Sequence, residues 1–156
     1  MINISTEEQK IAVIALVISF IALFVAQLIK FITWSIGRKR LYFRALISTG
    51  GWPSSHSALV ASLSFSILAL YGYKISMMFV VALVTSVIVV HDAMGVRLEA
   101  SKHAEMLNDI NEELSDRGMI PSQDKPLKEM LGHKPFEVLS GILLGFAIAF
   151  IGCLIV

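Results

Sequence analysis

The 156-residue sequence predicts an all-α protein, a polytopic bundle of hydrophobic helices in a membrane. Three observations predict it. Hydrophobic residues make up 56% of the chain and charged residues only 16%, against about 25% charged in soluble domains. The charges crowd into a few loops and leave four apolar runs nearly bare of them. Those runs approach the about 20 residues that a helix needs to cross the hydrocarbon core, within a range of about 17 to 25.

The first run, 11–32, is interrupted only by Gln27 and Lys30. Ahead of it Glu7 and Glu8 take the place of the positive n-region of a secretory signal, and no small-residue cleavage site follows. Ile11 onward is therefore expected to stay as the first membrane helix. The second and third runs, 57–73 and 75–90, carry no charge and are separated by Lys74 beside Gly72. A tight helical hairpin is the simplest reading; a re-entrant pair that does not fully cross is the other. The fourth run, 138–156, is again uncharged. Together they predict about four transmembrane helices in a single domain, 1–156. In the polar loop 97–134, Ala100, Ala104, Leu107, Ile110 and Leu114 fall at helical spacing with charges between them. That pattern predicts an amphipathic helix on the membrane surface or against the bundle, ended by Gly118 and Pro121. The single Cys153 excludes a disulfide within the chain and reads as a small apolar residue. A net charge of +1, with no basic face interleaved with aromatics, gives no reason to expect nucleic acid as a partner.

Loop charge sets the expected orientation. Arg38, Lys39, Arg40 and Arg44 lie between runs one and two, and short basic loops stay cytoplasmic. With four crossings the 97–134 loop shares that side, in a membrane of the bacterial cytoplasmic type. The second and fourth helices then both start there. One follows Gly50-Gly51-Trp52-Pro53-Ser54-Ser55-His56-Ser57, the other Gly132-His133-Lys134-Pro135-Phe136-Glu137. A helix N-terminus presents unpaired N–H groups and the positive end of a dipole, which suits an anion. Glycines at 50 and 51 let the backbone approach a ligand, and Ser54 and Ser55 can cap the helix or donate to the anion. The first helix brings Lys30 to the same level, where it either snorkels or touches phosphate. The third brings His91 and Asp92, with Arg97 beyond; Asp92 at a span's end needs a partner, and Arg97 is the candidate. His133 and Glu137, four apart at a helix start, can share a face. A carboxylate on one ring nitrogen leaves the other free as a nucleophile, and His56 can protonate a leaving oxygen. Two imidazoles, two helix dipoles and several cations suit a phosphate-bearing substrate at a membrane surface.

At these residues the sequence resembles a known family. Gly132-His133-Lys134-Pro135-Phe136-Glu137-Val138, with Gly141 and Gly145, resembles the third signature of the type 2 phosphatidic acid phosphatases, relatives of the vanadium haloperoxidases. Pro53-Ser54-Ser55-His56 is similar to their Pro-Ser-Gly-His. The nearest resemblance is to the divergent PAP2 membrane proteins, through Gly50–Ser57, Asp92–Arg97 and Leu131–Val138. The resemblance implies His133 as a nucleophile that forms a phosphohistidine, His56 as the acid, Glu137 as the residue orienting His133, and Lys30 as a phosphate contact. It implies no metal and no cofactor. The sequence also departs from the wider family. Leu127 stands where the third signature has Arg, leaving Lys128 or Arg97 as replacements. Gly37 stands where the first has Arg, Ser55 replaces Gly, and Glu137 replaces Asp. The expected function is a membrane phosphatase of a lipid phosphate or pyrophosphate, with a phospholipid or polyprenyl phosphate as substrate. The alternative is a non-catalytic membrane protein that binds or transports such a lipid; a structural subunit is a third reading. A homo-oligomer stays open, since Gly141 and Gly145 form a small-residue packing face.

Overall fold

The protein's computed structural model describes residues 6–48, 50–121, 126–127 and 133–156, without the side chains of 96–98. Among these all regular structure is helical: α1 Thr6–Gly37, a 3-10 turn Phe43–Ile47, α2 Ser55–Leu70, α3 Met77–Met94, α4 Val96–Asp116 and α5 Pro135–Ile155. α2 is the centre, with α1, α3 and α5 packed around it.

Small and polar residues face inward and large apolar ones outward. On α1 the buried stripe is Ala15, Ile18, Ser19, Ala22, Ala26 and Lys30, at helical spacing, while Phe20, Phe24 and Leu28 are about half exposed or more. On α2 it includes Ser55, Ser57, Ala58, Ser62 and Ser66. In a lipid solvent, large apolar side chains gain little by turning inward. Small residues instead let backbones approach closely. α5 uses this most directly: a Cβ on Gly141 or Gly145 would overlap the carbonyl oxygen of Ser54 or Ala58. α2 and α3 are clasped by hydroxyls, with Ser64 and Ser86 oxygens 2.8 Å apart and Ser86 donating to the Val60 carbonyl at 3.0 Å.

Three helices are long and apolar enough to cross a membrane, namely α1, the stretch that begins with α3, and α5; α2 is a shorter apolar helix. Each of the four apolar runs forms the expected helix, and α2 is the short one. The run 57–73 yields a helix from Ser55 to Leu70, because Gly72 and Tyr73 take left-handed backbone angles (φ +64° and +61°) and break it. Its 16 residues reach about 24 Å, short of the roughly 30 Å hydrocarbon core. The third run starts at Met77 rather than Ile75, where the Ser76 hydroxyl accepts the Phe79 N–H, and continues to Met94 rather than Val90. α1 extends five residues past its apolar run at each end, and α5 starts three residues before its run and ends one residue short of it. Much of the polar loop is α4, which ends at Asp116 with Gly118 at φ +68° beyond. Among the described elements α4 packs only on α3, and Leu107 and Ile110 remain about half exposed.

Candidate functional site

Four helix ends meet at one end of the bundle. The C-terminal turn of α3 has free carbonyls, as every helix end does, and the His133 N–H donates to that of Ala93 at 3.1 Å. The Ser54 N–H donates to the Glu137 carbonyl at 2.9 Å, hooking the start of α2 onto the first turn of α5. Ser54 is the N-cap of α2, accepting the Ser57 N–H at 3.3 Å and the Ser57 hydroxyl at 2.9 Å. These bonds bring the two histidines together. The His56 and His133 rings meet edge to face with centroids 6.4 Å apart. His133 is 2% exposed and His56 half-buried.

Lys30 supplies the charge. Its side chain is fully buried in α1, and its ammonium turns inward to the Ser48 carbonyl at 3.4 Å. Glu137 is the carboxylate that acts on it electrostatically. A buried cation requires such partners. Glu137 also serves its own helix, since Oε2 accepts the Lys134 N–H at 3.0 Å, and Pro135 opens the helix where no N–H is needed. Ser54 and Ser55 are both buried, and Ser54's hydroxyl is engaged in capping. Asp92 is half-buried in the last turn of α3. The Arg97 side chain and all of Lys128 lie outside the described residues, as do Leu131 and Gly132. Leu127 has both backbone groups on Asn108 of α4, donating to Oδ1 at 2.8 Å and accepting from Nδ2 at 2.9 Å.

Three contributors were not singled out from the sequence. Ser48 and Ala93 act through carbonyl oxygens, which no residue type advertises. Arg38 was assigned to topology, yet its guanidinium lies over both Trp34 (4.9 Å) and Tyr42 (4.2 Å). Aromatics four residues to either side of an arginine were the available signal. Behind them Gly51, at φ +92°, has no room for a Cβ, which would stand 2.7 Å from the Trp34 ring. Among the described residues no cluster of His, Cys, Asp and Glu has the form of a metal site.

The sequence pattern of the divergent PAP2 family matches residues 11–148, a stretch that holds every residue of this site. The chain belongs to the divergent PAP2 family. It is also 37% identical over 145 residues to the uncharacterized membrane protein YuiD of Bacillus subtilis strain 168, covering 85% of this chain and 91% of that protein. No solved structure matches it. As a divergent PAP2 protein it is a membrane protein, and its candidate site lies at helix ends rather than within the apolar girth of the bundle.

Proposed function

We propose that this divergent PAP2 protein is a membrane phosphatase that hydrolyses a lipid phosphate or pyrophosphate through a phosphohistidine, at the cytoplasmic surface. The observation that carries the reading is the meeting of His56 and His133 at the N-termini of two helices, with Lys30 buried in the neighbouring α1. In the first step a ring nitrogen of His133 attacks phosphorus and the bond to the lipid oxygen breaks. His56 gives that oxygen its proton. In the second, water attacks the phosphohistidine, His56 takes its proton, and phosphate leaves. Lys30 and the helix N-termini hold the negative charge throughout, and electrostatic positioning is the main catalytic term in such transfers. The basic residues Arg38, Lys39, Arg40 and Arg44 lie in the α1–α2 connection at the same end, which supports a cytoplasmic site. The test is phosphate release from a phospholipid phosphate and a polyprenyl phosphate by the purified protein. His133→Ala should abolish release; undiminished release would end the phosphohistidine mechanism.

One observation favours a second reading, a binder or carrier of a phosphorylated lipid. Leu127, in the family's arginine position, is tied to Asn108 through its backbone and brings no charge. Lipid that copurifies intact and is never hydrolysed would select that reading.

A further inference from the structure

An apolar cavity of about 350 Å³ lies beside the site, walled by α2, α3 and α5. Its upper rim is His91 and Met94 of α3, and between them Ala93 holds the His133 N–H. Its walls descend along Leu83 and Val87 on α3 and along Ile142 and Phe146 on α5. From Met94 to Leu83 is eleven residues, about 16 Å of helix. Ile142 and Phe146 follow Val138 at four-residue intervals, on the helix that starts just after His133. Val87 is 61% exposed and Phe146 42%, so the cavity opens sideways toward lipid. Its volume is within the about 300–1,000 Å³ of ligand pockets.

We propose that this cavity takes the hydrocarbon chain of the molecule whose phosphate sits at His56 and His133. The proposal rests on the phosphate reading of the site and adds the part of the substrate that the site selects. Its occupant follows from continuity: the cavity's rim is the α3 turn that holds His133, and its open side faces hydrocarbon. A larger apolar groove between α1 and α3 runs instead toward Ile11 and Met77, at the opposite end of the bundle, and shares only Val60 and Ser86 with this cavity. It is the internal comparison. The cavity makes the protein selective for single long chains attached close to the phosphate, because the chain must enter within one helical turn of the histidines.

The full chain in phosphatidylcholine vesicles is photolabelled with a long-chain alkyl phosphate that carries a diazirine at mid-chain. The expected result is label on α3 around Val87 or on α5 around Ile142 and Phe146. A tenfold excess of plain alkyl phosphate should lower it at least fivefold, and the same chain as the neutral alcohol should not. Equal competition by the alcohol identifies ordinary membrane lipid and overturns the proposal. So does label confined to the α1–α3 groove, or a Phe146→Cys variant that cross-links to a second copy and loses its label. Ile142→Trp, which fills the cavity, should lower the preference for a long-chain over a short-chain phosphate at least tenfold; an unchanged ratio overturns it. Phosphate-sensitive labelling without hydrolysis upholds the chain site and rejects the phosphatase. Hydrolysis with phosphate-insensitive labelling does the reverse.

Discussion

At Lys30 a long cationic side chain is fully buried in a helix that otherwise faces lipid and small residues. Desolvating an ammonium is costly unless partners receive it; the Ser48 carbonyl accepts its hydrogen bond, and the Glu137 carboxylate acts on it at longer range. In the proposed mechanism a phosphate is the third. Lys30→Met keeps an unbranched chain one atom shorter and removes the charge. A hydrogen bond to a charged group is worth about 1.5–3 kcal/mol, so phosphate release should fall about 10- to 100-fold while detergent-stable monodisperse protein is still obtained. Full activity in that variant would remove Lys30 from the site. The same residue marks how far a single position can be read. A lysine near the end of an apolar run fits snorkelling as well as phosphate contact, and the choice depends on where Ser48 and Glu137 arrive in three dimensions. His56 and His133 were more legible, because helix parity alone brings the starts of the second and last apolar helices to one end.

Among the elements, the α2–α5 pair positions the chemistry. Gly141 sits where a side chain would strike the Ser54 carbonyl, a backbone atom fixed by the first turns of α2. Gly152, further along α5, would meet only the Ile18 side chain, which can rotate away. Gly141→Val should therefore cost about 1–3 kcal/mol of stability through overpacking and lower the thermal midpoint by several degrees, with activity lost in proportion. Gly152→Ala should move both far less. Thermal unfolding in detergent, followed by circular dichroism, separates the two. At this scale the apolar runs of α1 and α5 were plain in the sequence, and α4 was visible in the spacing of Ala100 to Leu114. The C-terminal boundary of α2 was not. An uncharged run ending in Gly72 and Tyr73 reads as helix until the backbone turns left-handed there, which hydropathy does not register. The Trp34–Arg38–Tyr42 stack escaped for another reason, since it depends on a turn that folds Tyr42 back onto α1.

For the whole molecule, the arrangement is a short polar-lined helix enclosed by three apolar ones, with the described candidate site residues gathered toward one end. That end also carries the connection with Arg38, Lys39, Arg40 and Arg44, so its expected side is the cytoplasm. A Cys153→Ser background with Arg40→Cys checks it: a membrane-impermeant maleimide should label the protein only after the cells are opened. Labelling of intact cells would put the site outside. The central claim, that phosphate is transferred to His133, is tested most directly by alkaline quenching during turnover. Wild-type and His56→Ala protein would be mixed with a lipid phosphate, quenched and mapped by mass spectrometry. The account predicts a phosphoryl group on the peptide containing His133, absent from His133→Ala protein. Phosphate released at the normal rate by His133→Ala protein would contradict it.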